Sequence, residues 1–216
     1  MRVLKKITPV FVGSLVLFGF ANAAIVTVGG HNVYEENFAD SVVEKSGTLK
    51  MFDVGGTGVS TYDEAIGGSA GDGVSCATDG CSFEVNFSGG IENQGGNDLI
   101  IFGLGVGAGT PELFDIEYNG VRISDFGMTG TGFFENGFEI SYLEIDLSIF
   151  GVALNDIVSK LEIIVNPGMN SEEFSLFASM NDVAVPLPAA VWLFGSVLAA
   201  GGFAGRRKRA LKAAKA

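Results

Sequence analysis

The two cysteines of this 216-residue chain have the most informative spacing among the side chains that could do chemistry. Cys76 and Cys81 are separated by four residues that include the turn-forming pair Asp79-Gly80. A redox-active pair is usually spaced by two residues in a βαβ unit, and two thiolates without histidines are too few for a zinc site. In an exported chain, the spacing predicts a structural disulfide that closes a tight hairpin ahead of a strand starting at Ser82.

Catalytic groups are poorly represented. His31 is the only histidine and follows two glycines near the amino terminus, which predicts a solvated turn residue rather than a general base. The 25 acidic residues include no pair whose spacing marks it for glycoside cleavage. We therefore expect no catalytic residues and a protein that is not an enzyme, with a secreted hydrolase as the less favoured alternative.

Oxygen ligands for a hard cation occur in glycine-rich loops. Asp72, Asp79, Asn97 and Asp98 are weak candidates for a Ca²⁺ site, because Ca²⁺ takes several oxygen ligands from flexible loops. The chain has neither an EF-hand loop nor a calcium-binding nonapeptide repeat. Since Asp and Asn also simply form turns, the expectation is no cofactor, with Ca²⁺ kept open.

A sugar-binding surface would need exposed aromatic rings, chiefly Trp and Tyr. The only tryptophan, Trp192, lies close to the carboxyl terminus. The remaining candidates for stacking are Tyr34, Tyr62, Tyr118 and Tyr142, while the 13 phenylalanines of residues 24–184 are expected in the core.

Elements that would position these residues are short and separated by glycine. Residues 24–184 contain 26 of the 32 glycines, and the runs between them alternate apolar and polar side chains as half-buried strands do. Two segments, 33–44 and 147–157, have a more helical pattern. The expected strands are 25–28, 49–54, 82–87, 99–104, 113–118, 138–145, 159–165 and 174–180. This pattern predicts an all-β fold, an antiparallel two-sheet sandwich of jelly-roll type with one or two short helices. An immunoglobulin-like topology is the alternative, although its Cys, Trp, Cys spacing is missing.

Both ends of the chain have the features of processed segments. Basic residues precede an apolar stretch over 10–20, and Ala21 and Ala23 give the small-x-small pattern of a signal-peptide cleavage site. We therefore expect a signal helix over 1–23 that engages the Sec translocon and is removed by signal peptidase.

At the other end, an uncharged apolar segment over 189–205 is just long enough to cross a bilayer as a helix. Two prolines keep the chain extended before it. A basic cluster follows it and is expected to stay cytoplasmic, which places the preceding domain outside. The cluster consists of Arg206, Arg207, Lys208 and Arg209.

The extended stretch before the apolar segment reads Val185, Pro186, Leu187, Pro188 and Ala189. Together with the apolar segment and the basic cluster, it resembles the sorting tail of the PEP-CTERM class, in its VPLPA-CTERM variant. The resemblance covers about 30 residues and implies a Gram-negative bacterium with an exosortase, a membrane-embedded cysteine protease that removes the tail. Leu187 stands where the parent motif has Glu, which leaves the exosortase subtype open. The implied domains are a signal peptide (1–23), a β-sandwich (24–184) and a sorting signal (185–216).

Processing would leave a strongly anionic body. Residues 24–184 hold four basic against all 25 acidic residues, a formal charge of −21 compared with −12 for the full chain. Such a surface disfavours nucleic acid and favours solubility or cations. We expect an inner-membrane precursor that becomes a structural or adhesive protein of the cell surface or biofilm matrix, with extracellular polysaccharide as a partner. A carbohydrate-binding module, with or without Ca²⁺, and a protein retained in the membrane are the alternatives.

Overall fold

The computed structural model describes residues 24–54, 56–67, 69–105, 113–167 and 173–180. Most of these residues lie in antiparallel strands: β1 (Ile25–Val28), β2 (His31–Tyr34), β3 (Ser41–Ser46), β4 (Leu49–Asp53), β5 (Asp72–Cys76), β6 (Cys81–Glu92), β7 (Leu99–Gly105), β8 (Leu113–Tyr118), β9 (Val121–Gly127), β10 (Thr129–Glu135), β11 (Phe138–Ile145), β12 (Ile157–Val165) and β13 (Phe174–Ser179). The described residues also form the helix α1 (Tyr62–Gly67) and two short 3-10 helices, Glu35–Asn37 and Leu147–Phe150.

The strands form two main sheets and a separate hairpin. One sheet has six strands in the order β10-β11-β7-β13-β5-β4, and the other has five in the order β3-β6-β12-β8-β9. Strands β1 and β2 pair only with each other. The chain passes repeatedly from one main sheet to the other, and the described strands confirm the predicted all-β sandwich.

The six-stranded sheet is apolar on both faces. Along β7, Leu99 and Ile101 join the core shared with the five-stranded sheet, while Ile100 and Phe102 join a second cluster on the opposite face. Val28 and Val33 of the β1–β2 hairpin belong to that second cluster. The hairpin therefore covers the outer face of the sheet, because a strand with alternate side chains buried on both faces needs a cover on each.

The disulfide between Cys76 and Cys81 is present, as predicted, with an S–S distance of 1.96 Å. The predicted hairpin is wrong. Cys76 ends β5 in the six-stranded sheet and Cys81 begins β6 in the five-stranded sheet, and these two strands do not pair. The bridge therefore fastens the two sheets to each other at a crossover.

All eight predicted strands are confirmed within a few residues, but five strands and one helix are additional. Strands β9 and β10 were missed because they are edge strands with mostly exposed, polar or glycine residues. The helix predicted over 33–44 is wrong, since β2, the 3-10 helix Glu35–Asn37 and β3 occupy that segment. Of the segment 147–157, only Leu147–Phe150 is helical, and it forms a single 3-10 turn.

Candidate functional site

An acidic groove lies beside the helix α1, and the 57–59 loop and the first residue of β5 also line it. Its volume is about 640 Å³, and carboxylates are prominent among the residues that line it. The lining residues with acidic side chains are Asp40, Asp63, Glu64 and Asp72. The helix is held in place by Ala65 and Ile66, which are fully buried in the core between the main sheets.

Three of these carboxylates accept hydrogen bonds from nearby segments of the chain and so stabilise the walls of the groove. Asp40 accepts hydrogen bonds from the backbone and the hydroxyl of Ser88, and Asp63 accepts one from the backbone N–H of Val42. Glu64 forms a capping box with Thr61, because each side chain accepts the other's backbone N–H at 3.2 Å. The backbone N–H of Ser60 is the main cause that lowers the pKa of Glu64.

The fourth carboxylate, Asp72, has a different environment. It lies directly opposite Asp53 in the β4–β5 register and is only 1% exposed. Its Oδ2 accepts a hydrogen bond from the hydroxyl of Thr57 at 2.6 Å, and its carboxyl group also forms a side-chain hydrogen bond with that of Asp53. Burial is the main cause that raises the pKa of Asp72, and the neighbouring Asp53 raises it further.

Asp53 is the solvated member of this pair. Its two carboxylate oxygens accept the backbone N–H groups of Thr57 at 2.9 Å and of Gly58 at 2.8 Å. The hydrogen bond from Gly58 is the largest cause that lowers the pKa of Asp53, so this side chain is the one that stays charged. The loop after β4 therefore places Thr57 between two carboxylates, of which Asp53 is exposed and Asp72 is buried.

Of the four predicted calcium ligands, Asp72 is the one that lies directly opposite a second carboxylate in a strand pair. Asp98 uses its two oxygens to accept the backbone N–H groups of Gln94 and Leu147, which joins two loops. Asn97 donates to Glu144 at 2.8 Å. Asp79 is exposed in the crossover between the cysteines. Asn97 and Asp98 share the β6–β7 connection, whereas Asp72 begins β5 and Asp79 lies in the β5–β6 crossover, so the four residues do not form one site.

Within the described ranges, no group of three or more His, Cys, Asp or Glu side chains is placed to hold a metal ion. Any cation site in this part of the chain therefore has to combine two carboxylates with hydroxyl, carbonyl or water oxygens, which is a ligand set that Ca²⁺ accepts.

The aromatic residues are only partly where the sequence predicted them, since most phenylalanines are buried as expected. None of the four tyrosines is exposed, and Tyr62 donates its hydroxyl to the carbonyl of Leu49. His31 is not a turn residue. It lies in β2, with its ring 4.4 Å from that of Tyr142 and its Nδ1 3.6 Å from Glu144.

Three phenylalanines that were expected in the core are exposed instead. They lie on the β10–β11 hairpin, and the exposed fractions of Phe133, Phe134 and Phe138 are 56%, 64% and 43%. The closeness of these residues around the Asn136-Gly137 turn was visible in the sequence, because an Asn-Gly pair marks a hairpin tip. The expectation that these phenylalanines are buried rested on residue type alone and did not consider this turn.

The predicted processing sites lie outside the described residues. They are Ala21 and Ala23 for signal cleavage, the motif 185–189 and the basic cluster 206–209. No helix within the described ranges is long and apolar enough to cross a membrane.

Comparisons with known proteins give no relative: no protein-family model matches the chain, and no curated protein matches it significantly.

Proposed function

We propose that this chain is the precursor of an exported, non-enzymatic protein of the cell surface or exopolysaccharide matrix. The observation that carries the proposal is the tail 185–216, in which the motif 185–189, an apolar segment and the cluster 206–209 follow one another as in VPLPA-CTERM signals. Signal peptidase removes 1–23 after passage through the Sec translocon. An exosortase then cuts the tail and releases the body from the inner membrane.

Two features of the described residues support this route. The Cys76–Cys81 disulfide suits an oxidising compartment outside the cytoplasm. The acidic excess of residues 24–184 suits a protein that stays soluble between anionic polymers and does not bind nucleic acid. We also propose that the sandwich is of jelly-roll type, because the chain crosses repeatedly between the two main sheets.

The test is the intact mass of the surface form, produced in a Gram-negative host that has an exosortase. We expect a product that starts after Ala23 and lacks 206–209. The double variant Pro186→Ala/Pro188→Ala should keep its tail and remain in the inner membrane. A matched control, Pro167→Ala, changes a proline outside the tail and should be processed normally. A wild-type surface form that retains its basic cluster would overturn the proposal.

A second candidate function, binding of carbohydrate, is favoured by the exposed phenylalanines of the β10–β11 hairpin. Phe133 and Phe134 present apolar rings to solvent, and such rings can stack on the apolar faces of sugars.

A glycan array probed with the full chain in detergent, with and without Ca²⁺, tests this candidate. Binding that the double variant Phe133→Ser/Phe134→Ser abolishes would support it. Leu154→Ser is the matched control, because Leu154 is also 64% exposed but lies outside this hairpin. Absence of binding by the wild-type chain, or equal loss in both variants, would eliminate it.

A further inference from the structure

Two Asn-Gly pairs occupy equivalent positions at the tips of two hairpins. Asn119-Gly120 joins β8 to β9, and Asn136-Gly137 joins β10 to β11. Each pair is a two-residue loop, because the flanking residues of the two strands are register partners. The φ angles are 50° and 78° in the first pair and 47° and 93° in the second, the signs that a type I′ turn requires. The two loops therefore match in sequence and in the sign of both φ angles.

An Asn-Gly pair can react with itself. The backbone nitrogen of the glycine attacks the side-chain amide carbon of the asparagine and closes a five-membered succinimide ring. The amide –NH₂ group leaves with the proton of the glycine N–H as ammonia. Water then opens the ring to aspartate or isoaspartate. Glycine favours this attack because it has no Cβ to crowd the nitrogen and because its backbone reaches conformations that other residues avoid.

The two asparagine side chains differ in what they contact, although both are exposed. The Nδ2 of Asn136 donates to the carbonyl of Val54 at 3.1 Å and to the carboxylate of Glu135 at 3.3 Å. Among the described residues, the side chain of Asn119 has no hydrogen-bond partner. Ring closure requires the side chain to turn its amide carbon toward the next backbone nitrogen. The hydrogen bonds of Asn136 resist that rotation, and none resists it at Asn119.

The surroundings of the first pair also favour the reaction. A Cβ built on Gly120 would meet nothing within 4 Å, so the loop is open to solvent. Strand β9 is the edge of the five-stranded sheet and pairs only with β8 in the part of the chain that the structure describes. Most of its residues are exposed. Local opening of such a hairpin tip costs little, because few buried contacts have to be broken.

We propose that Asn119 is a site of spontaneous deamidation in the folded protein, through a succinimide formed with Gly120, and that Asn136 is protected. The product carries a new negative charge, and its isoaspartate form adds a methylene to the main chain. A two-residue loop cannot take up that extra length and keep its register. Strand β9 is therefore expected to loosen, together with the hydrogen bond at 2.8 Å from Arg122 to the buried Asp115.

The test is peptide mapping by mass spectrometry of the full chain in detergent, after incubation at mildly alkaline pH and physiological temperature. A sample unfolded in urea is the reference. In the folded chain, Asn119 should deamidate about tenfold faster than Asn136, because the net stabilisation by a hydrogen bond corresponds to roughly that factor. In urea the two sites should react at similar rates, since the contacts of Asn136 are lost.

Gly120→Ala tests the attacking nitrogen, because the added Cβ crowds it and should slow the reaction at Asn119 to the rate at Asn136. Gly137→Ala is the matched control and should leave the rate at Asn119 unchanged. Both glycines have positive φ, and a Cβ on either would meet nothing within 4 Å, so the two variants bear similar backbone strain. Incubation should also lower the Tm of the wild type but not that of Gly120→Ala.

Four results would overturn the proposal. Asn119 could stay intact while the unfolded reference reacts, the two sites could react equally in the folded chain, or Gly120→Ala could react as fast as the wild type. A Tm that conversion of Asn119 leaves unchanged would contradict the loosening of β9. Peptide mapping detects this site whether or not the tail is removed, so failure here and failure of the proposed export are separate results.

Discussion

Among single side chains, the buried carboxylate of Asp115 makes the clearest contribution to stability. It is 2% exposed and accepts hydrogen bonds from Arg122, Asn166 and the backbone of Asp125. Burial alone would raise the pKa of Asp115, but these hydrogen bonds outweigh it and hold the pKa below its usual range. Ionised Asp115 therefore stabilises the folded state.

Arg122→Ala should lower the free energy of unfolding by about 1–3 kcal/mol at pH 7, because it removes a charged donor from a buried acceptor. The stabilisation by ionised Asp115 is complete above its unfolded pKa and is lost as the pH falls through the lower folded pKa. The difference between variant and wild type should therefore shrink below about pH 4. Urea denaturation at several pH values measures it.

Lys160→Ala is the matched control for Arg122→Ala. Lys160 is 58% exposed and pairs with Glu84, which also has Lys45 as a partner at 3.2 Å. Its loss should cost less than about 1 kcal/mol. Equal effects of the two variants would contradict the special role of the buried carboxylate.

The roles of single residues were only partly predictable from the sequence. The disulfide followed from two cysteines at close spacing, which is a local signal. Asp98 and Asp72 look alike in the sequence, yet Asp98 receives two backbone N–H groups, whereas Asp72 faces the carboxylate of Asp53. The donor from Leu147 comes from 49 residues away, so only the folded chain distinguishes them.

Among the elements, strand β5 depends on a close approach at Gly73. A Cβ there would collide with the carbonyl oxygen of Phe174 and the ring of Phe52, on the two neighbouring strands. Gly73→Ala should therefore cost about 1–3 kcal/mol by overpacking. Gly89→Ala in β6 is the control, since its Cβ would meet nothing within 4 Å. We expect it to be neutral or stabilising by about 0.4–1 kcal/mol.

Chemical denaturation of both glycine variants, followed by circular dichroism, measures the difference. A Gly73→Ala chain as stable as Gly89→Ala would show that β5 can shift away from its neighbours. If both variants were destabilised equally, the collision at Gly73 would not explain the loss, and the lower entropy of the unfolded chain would not offset it at either position.

Helices were the elements that the sequence predicted least well. The apolar spacing over 33–44 suggested a helix, but Val42 packs in the core from β3, which pairs with β6. Long-range pairing overrode the local pattern there. Conversely, α1 has a local signal that was overlooked, since Thr61-Tyr62-Asp63-Glu64 matches the capping-box sequence and the structure contains both of its hydrogen bonds.

For the whole molecule, the two-sheet sandwich was predictable from strand length and turn chemistry, but its third layer was not. The run Leu99–Gly105 is apolar at nearly every position, and only the structure shows that the β1–β2 hairpin covers its outer face. The packing of the β1–β2 hairpin on β7 depends on contacts between segments about 70 residues apart, and a local sequence pattern cannot predict such contacts.

The charge of the whole body leads to the last prediction. Three of the four basic residues in 24–184 already pair with Glu84 or Asp115, so the acidic excess is uncompensated. Across the five-stranded sheet, Glu162 lies opposite both Glu84 and Glu117, which concentrates like charges in one row. Salt screens such repulsion. Raising NaCl from about 20 to about 200 mM should therefore raise the Tm of the processed form by roughly 2–4 °C, or about 1 kcal/mol.

Glu162→Gln tests the cause of that salt response, because it removes one charge from the row and keeps the shape of the side chain. The variant should have a higher Tm than the wild type at low salt and a smaller rise with NaCl. The scans require a chelator, so that trace divalent cations do not contribute to the screening. A Tm that falls with NaCl would mean that the ion pairs of Glu84 and Asp115 stabilise the body more than the acidic excess destabilises it.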